Sequence, residues 1–153
     1  MSIYRVQHGK NRPKDVDPDK GLSDEGRNEV ERIATVAEGY GVPVTGIVHS
    51  GKTRARQTAE IFDQALAPAD GTSAADGMGP LDDVEAFAEG LDPASSRMYV
   101  GHLPFMEKLA AYLVTGTSDR PVFKFQNGGI VCLDRKPDAD TWVIRWALMP
   151  KIS

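Results

Sequence analysis

Short β-prone segments alternate with amphipathic helical segments along most of this chain, and that alternation constrains the fold more than any other feature. Parallel strands need a long crossover, usually a helix, so the alternation predicts a mostly parallel sheet covered by helices on both faces. The last part of the chain instead predicts consecutive strands, which favours an antiparallel edge strand. We therefore expect a three-layer α/β/α domain over residues 1–153, because this length fits one domain.

Hydrophobic periodicity and helix-boundary residues predict the individual elements. Ser23 is the predicted N-cap of a first helix that Gly39 and Gly41 end. We expect residues 10–21 to form a polar surface loop and residues 67–80, rich in Ala, Gly, Pro, Asp and Ser, to form a mobile loop. The other predicted helices cover 52–66, 84–91 and 104 or 105 to 114, and the predicted strands cover 3–7, 46–50, 98–101, 122–125, 129–134 and 141–149.

Charge and cysteine content exclude several classes of function. The formal net charge of −4 argues against a general nucleic-acid or membrane-surface binder, which would need a basic face. The single cysteine, Cys132, allows no intramolecular disulfide and no cysteine metal site, and its apolar neighbours predict a buried strand thiol. No apolar run approaches the roughly 20 residues of a membrane span, and the N-terminus has no charged-then-apolar leader, so we expect a cytoplasmic protein.

The three histidines of the chain, His8, His49 and His102, all fall where a predicted strand ends, each beside Gly or Ser. Ligands of open α/β sheets bind beyond the carboxyl ends of the strands. A single histidine at a strand end is more often structural than catalytic, but three at one rim of a sheet indicate a functional site.

Histidine together with arginine suits phosphoryl transfer. A neutral imidazole nitrogen is a good nucleophile, the guanidinium fork matches phosphate oxygens, and a strand-end glycine such as Gly9 lets the backbone approach a ligand. Arg54 and Arg56 lie about 200° apart on the predicted second helix, so they cannot face the same pocket. The alternative is that both are solvated helix arginines.

Residues 7–9 and 100–104 resemble motifs of the histidine phosphatase superfamily, and most closely those of its SixA branch of phosphohistidine phosphatases. Gln7-His8-Gly9 is similar to its Arg-His-Gly signature, and the second-histidine motif is matched over residues 100–104. The helix-start, Arg-Ala-x-Gln-Thr-Ala and late-strand motifs are matched over 22–26, 50–59 and 125–133. The resemblance covers nearly the whole chain and implies a phosphoglycerate mutase-like fold, a bacterial source and a metal-independent phosphatase.

The resemblance also implies roles for individual residues. His8 would be the nucleophile that becomes phosphohistidine, with its other ring nitrogen held by a hydrogen bond to the backbone. His102 would donate hydrogen bonds to the phosphoryl oxygens, and Arg54 would clamp them. The expected phosphate-binding residues around them are Gln7, Gly9, Ser50 and Lys52. No cofactor and no metal is implied. The expected partners are a phosphorylated protein carrying phosphohistidine or a small phosphorylated molecule, and a phosphate or sulfate ion in the pocket.

The chain departs from the family signature at Gln7, which stands where the family has Arg. A hydrogen bond to a charged group contributes roughly 1.5–3 kcal/mol, so losing its ionic part would slow the reaction about tenfold to a hundredfold. Lys10, Arg12 or Lys52 could restore the charge. Alternatively, the protein is a weak or inactive phosphatase that still binds phosphorylated ligands. Gly51 replaces the usual Pro, a smaller departure that is expected mainly to loosen that turn.

The acid that would protonate a leaving oxygen is the last open point. Asp82 and Asp83 are the local candidates, but they are equally typical of the cap and first turn of a short helix. A phosphohistidine substrate needs less acid assistance than an ester, and a phosphatase of small phosphate esters is the third alternative. We do not expect a mutase, because the chain lacks the sequence to cover a sugar-acid phosphate.

Overall fold

Six strands form a single mixed sheet in the computed structural model, which describes residues 2–152. The strands are β1 (Ser2–Gln7), β2 (Gly46–His49), β3 (Thr72–Ala74), β4 (Arg97–Gly101), β5 (Ile130–Arg135) and β6 (Trp142–Leu148). The α-helices are α1 (Asp24–Tyr40), α2 (Thr53–Leu66), α3 (Val84–Glu89) and α4 (Phe105–Thr115), and a 3-10 turn covers Pro93–Ser95. No helix within the described residues is long and apolar enough to cross a membrane.

The strand order is β3-β2-β4-β1-β5-β6, and the first four strands are parallel to one another. The antiparallel pairing lies at the other edge, where β5 runs against both β1 and the edge strand β6. This arrangement confirms the predicted mostly parallel sheet. It also puts β1 in the centre, so its carboxyl end is surrounded by the ends of neighbouring strands.

Two hydrophobic cores, one on each face of the sheet, hold the helices in place. On one face α1 and α2 cover Val6 and Ile47, whereas on the other α3 and α4 cover Ile3 and Tyr99. Alternate residues of β1 enter opposite cores because successive strand side chains point to opposite faces. Each fully buried aliphatic side chain contributes about 1.5–3 kcal/mol, so the two cores fix the layers that carry the site.

Arg5 is the exception in this apolar interior. Its side chain is completely buried between the rings of Phe87 and Tyr99, with Cζ 5.7 and 5.5 Å from the ring centroids. Its Nη1 donates to Met106 Sδ at 3.4 Å, but Nε and Nη2 have no hydrogen-bond partner. Burial lowers the pKa of Arg5 to about 9, so the core holds a charged guanidinium at neutral pH.

Helix α1 begins as its sequence predicts. Ser23 Oγ accepts a hydrogen bond from Gly26 N at 3.0 Å, and acidic residues follow in the first turn. The helix ends at Gly41, whose φ of 67° is the left-handed conformation that glycine favours, whereas Gly39 lies inside it. A Cβ at Gly26 would overlap the backbone of Lys10, so glycine lets the start of α1 pack against the chain that leaves His8.

Two predictions are wrong, one of a loop and one of a strand. Residues 67–80 contain β3, which pairs in parallel with β2, and three residues are too few to show a periodicity. Residues 122–125 are not a strand, although Phe125 is buried and packs edge-to-face on Phe123 at 5.7 Å. Their apolar side chains enter the core from an irregular segment, so the pattern correctly indicated burial but not a strand.

Candidate active site

The parallel pairing of β1 with β4 brings two histidines together at the carboxyl ends of the strands. Gln7 is in register with Gly101, so the next residues, His8 and His102, leave the sheet side by side. Their ring centroids are 5.0 Å apart, and both side chains are buried. His8 N also donates to Gly101 O at 3.0 Å, which extends the ladder by one bond and fixes the two chains at this point.

Arg54, in the first turn of α2, contacts His8 directly. Its Nε donates to His8 Nε2 at 3.3 Å. Arg56 lies on another side of the helix and pairs with Glu60 at the surface. The two arginines therefore face different environments, as the helical spacing predicts.

The hydrogen bonds of His8 define which ring nitrogen is free to react. Nδ1 lies 2.7 Å from Gly9 O, and a carbonyl can only accept, so Nδ1 carries the proton. Nε2 then holds a lone pair, consistent with its position as acceptor from Arg54. The expected backbone hydrogen bond is present, and it leaves Nε2 as the ring nitrogen without a proton.

A layer of buried hydrogen bonds supports this arrangement. Thr58 is fully buried, its Oγ1 accepts from Gly9 N at 2.9 Å, and its hydroxyl donates to Arg54 O at 2.8 Å. On the other side, Asn127 Nδ2 donates to His8 O at 3.0 Å. Thr58 thus ties the peptide that orients His8 to the turn that carries Arg54. The sequence motif contained this threonine, but only the fold shows what it connects.

Both histidines are neutral at neutral pH. Burial, with a smaller effect from the charges of Arg54 and Lys20, lowers the pKa of His8 to about 4, against the raising effect of its hydrogen bond to Gly9. Burial also lowers the pKa of His102 to about 3, assisted by His8 and by nearby cations. A neutral His8 keeps the lone pair that an attack on phosphorus requires.

Ser50 and His49 take different places at the end of β2. Ser50 Oγ lies 2.5 Å from His102 Nε2, so this hydroxyl orients the second histidine. His49 Nδ1 accepts from Gly51 N at 3.1 Å and closes the turn instead of joining the histidine pair. Gly51 has a φ of +92°, which proline cannot adopt because its ring fixes φ near −65°. The turn therefore requires the glycine that departs from the family pattern.

Two of the cations expected to replace the charge missing at Gln7 are engaged elsewhere. Lys10 Nζ is 2.8 Å from Glu25 Oε1, and Arg12 lies 4.0 Å from carboxylate oxygens of both Asp17 and Asp24. These carboxylates hold Lys10 and Arg12 along the start of α1 and the preceding loop. The expectation that either restores the charge is not supported by the structure.

Two lysines do act on the histidine pair. Lys52, the N-cap residue of α2, is exposed, and its charge lowers the pKa of His102. Lys20 lowers the pKa values of both His8 and His102. Sequence reasoning missed Lys20, because a lysine in a polar loop carries no signal until the fold places that loop beside the histidines.

Asp83 occupies the N-terminus of α3. Its Oδ1 accepts from Glu85 N at 2.9 Å and from Ala86 N at 3.3 Å, while Asp82 Oδ2 accepts from Gly79 N at 2.7 Å. This is the capping alternative, and the acid role of Asp83 stays a prediction. Within residues 2–152 no group of three or more His, Cys, Asp or Glu side chains is arranged to hold a metal ion.

Solved structures share this whole architecture. The protein histidine phosphatase SixA complexed with tungstate superimposes with a TM-score of 0.85 at 20% identity, covering 98% of this chain and 97% of that one. The chain has the histidine phosphatase fold. A SixA protein from Agrobacterium tumefaciens gives a TM-score of 0.77 at 24% identity, with 98% of both chains covered. A mycobacterial glucosyl-3-phosphoglycerate phosphatase complexed with VO3 gives 0.71 at 14% identity, covering 97% of this chain and 99% of that one. No family model and no curated protein matches the chain by sequence.

Gln7 precedes His8 at the carboxyl end of β1. Its side chain is buried, and Oε1 has no hydrogen-bond partner. An amide can donate from its nitrogen, but it brings no charge to the site. The residue before His8 is therefore neutral, whereas the Arg-His-Gly signature has a positively charged residue at this position.

Proposed function

We propose that the protein is a phosphatase that works through a phosphohistidine formed on His8, with phosphohistidine itself as the substrate class. The observation that carries the proposal is the state of His8. Its proton is on Nδ1, and its unprotonated Nε2 accepts a hydrogen bond from Arg54 Nε at 3.3 Å. The ring centroid of His102 lies 5.0 Å from the ring centroid of His8.

The chemistry takes two displacements at phosphorus. Nε2 of His8 attacks, an N–P bond forms, and the P–N bond to the substrate imidazole breaks with its electron pair remaining on the leaving ring. A water molecule then attacks the phosphorus, the His8–P bond breaks, and orthophosphate leaves as the water proton passes to solvent. Arg54 and His102 stabilise the charge on the phosphoryl oxygens in both steps.

A phosphohistidine substrate fits the side chains around the site. The departing imidazole leaves as a neutral ring when its other nitrogen carries a proton, so no strong acid is needed. An alkoxide leaving group would need one, and the Asp83 carboxylate is engaged as a helix cap. The fold likeness to SixA proteins supports the same substrate class.

Gln7 favours one alternative, a phospho-ligand binding protein with little or no turnover. The neutral amide replaces a cation beside the nucleophile, and its Oε1 is buried without a partner. Such a protein would retain phosphate analogues but release no phosphate. Turnover therefore separates the two functions.

The test is orthophosphate release from a histidine-phosphorylated protein, measured beside release from p-nitrophenyl phosphate. We expect wild type to hydrolyse the phosphohistidine faster than the ester, His8→Ala to be inactive and Gln7→Arg to be at least as active as wild type. His49→Asn, which keeps an acceptor for the Gly51 amide, serves as the matched histidine control and should stay active. Release by His8→Ala at the wild-type rate would refute the mechanism, and activity confined to Gln7→Arg would identify a binding protein.

A further inference from the structure

Three cations act on the histidines, Arg54, Lys20 and Lys52, and of the two lysines Lys20 is the less exposed. Among the described residues, the ion pairs involve Lys10, Arg12, Arg56 and Lys151, and none includes Lys20, although its side chain is only partly exposed. A lysine without a carboxylate partner can pair with an anionic ligand.

The backbone of the loop holds Lys20 in one conformation. Its φ of 52° is left-handed, a conformation that a non-glycine residue keeps only where the surrounding structure holds it. Asp17 supplies that structure. Its carbonyl accepts from Lys20 N at 2.9 Å, its Oδ1 from Asp19 N at 3.0 Å and its Oδ2 from Gly21 N at 3.0 Å. One aspartate therefore binds three successive amides around the lysine.

The same loop is attached to the helix that carries Arg54. Gln57 lies about one turn further along α2, and its Oε1 accepts from Leu22 N at 2.7 Å. Arg12 N donates to Gly21 O at 2.8 Å and closes the base of the loop. Lys20 and Arg54 are thus anchored to one frame, and each acts electrostatically on both His8 and His102. Lys20 therefore lies in the loop that follows His8 and Gly9, whereas Gln7 lies in the strand before them.

We propose that Lys20 is a phosphate-binding residue of this site and supplies the positive charge that Gln7 does not. The inference rests on the proposed function for the identity of the ligand, a phosphoryl dianion between the histidines. An ammonium is a compact point charge, so it can approach phosphate oxygens from the loop without the fixed planar geometry of a guanidinium. The preceding strand residue can then be neutral while the pocket keeps two cations, Arg54 and Lys20.

The experiment measures tungstate binding by isothermal titration calorimetry, which needs no turnover. Lys20→Gln should weaken binding about tenfold to a hundredfold, the change expected for one charge-assisted hydrogen bond. Lys20→Arg should stay within about threefold of wild type. Lys14→Gln removes an exposed lysine of the same loop and should leave the affinity unchanged. Gln7→Arg added to Lys20→Gln should recover most of the loss, because it returns the charge from the sheet side.

Wild-type affinity in Lys20→Gln would overturn the proposal, and so would an equal loss in Lys14→Gln, since that would be a general charge effect. Absence of tungstate binding by wild type would overturn it as well. Phosphate release is assayed on the same samples. Tungstate binding that depends on Lys20 without any phosphate release would support the role of Lys20 and refute the phosphatase, whereas turnover unaffected by Lys20→Gln would refute only the role of Lys20.

Discussion

Replacement of Thr58 by valine should separate the positioning of His8 from the packing around it. Thr58 is fully buried, and its hydroxyl is the acceptor for Gly9 N. Valine has nearly the same shape but no oxygen, so the Gly9 amide would be left buried without an acceptor. That costs about 1–3 kcal/mol, offset in part by about 0.8 kcal/mol for the additional buried methyl. We expect the free energy of unfolding to fall by about 0.2–2 kcal/mol.

The effect on catalysis should be larger than this loss of stability suggests. The Gly9 carbonyl accepts from His8 Nδ1, so a released Gly9 peptide no longer fixes the ring that must attack phosphorus. A small misplacement of reacting groups can cost about a hundredfold in rate. Thr58→Val should therefore lower kcat about tenfold to a hundredfold.

Thr58→Ser is the matched control, because it keeps the oxygen and removes the methyl. Loss of a buried methyl costs about 0.5–1.5 kcal/mol, similar to the effect of valine. Stability is measured by urea unfolding at pH 7.5 with a shared m-value, and kcat by phosphate release. Equal stability losses with a low kcat only in Thr58→Val would support the argument. The reasoning fails if both variants lose kcat to the same extent, or if valine keeps the wild-type kcat.

Three further predictions concern stability. Burial lowers the pKa values of His8 and His102 to about 4 and about 3, against 6.5 unfolded, so the unfolded chain binds protons first as the pH falls. The stabilisation from neutral histidines should be fully present above pH 6.5 and should decline as the pH falls towards 4. At 1.36 kcal/mol per pKa unit, His8 alone accounts for about 3 kcal/mol of this decline. Urea unfolding of His8→Asn should show a shallower decline. Arg5→Met replaces a buried, incompletely bonded charge with an apolar chain and should raise Tm by a few degrees in calorimetry; a lower Tm would contradict this. Gly26→Ala should lower the free energy of unfolding by about 1–3 kcal/mol, because the new Cβ would overlap the backbone of Lys10. Gly39→Ala should raise it by about 0.4–1 kcal/mol, because Gly39 lies in a helix with open space around it. Equal effects of the two variants in urea unfolding would count against the packing argument.

The sequence predicts those parts of the fold whose signals are local. Ser23 and the acidic residues after it start α1 by capping chemistry, and the apolar period of that helix is long enough to be read without its partners. Thr72–Ala74 becomes a strand only because β2 offers it backbone partners, which no local pattern shows. Residues 122–125 show the converse, since burial of Phe125 does not require a ladder.

The same distinction applies to the site. His8 and His102 could be identified because strand ends and short motifs mark them. The engagement of Lys10 by Glu25, and the position of Lys20 near both histidines, depend on how α1 and the loop before it pack. Charges on flexible side chains are assigned by tertiary contacts, so the sequence could show that a cation was missing at Gln7 but not which residue compensates.

The central position of β1 has a consequence for how the protein assembles. Tyr4 is in register with Met98 on one side and with Cys132 on the other, so this strand has no neighbour until most of the chain is present. Contacts between residues so distant in sequence carry a high loop-closure cost and slow folding. During synthesis His8 would emerge early, yet its strand would have no ladder partner until β4 and β5 had been made. Segments α1, β2 and α2 can associate locally before then, so the catalytic geometry should be among the last features to form.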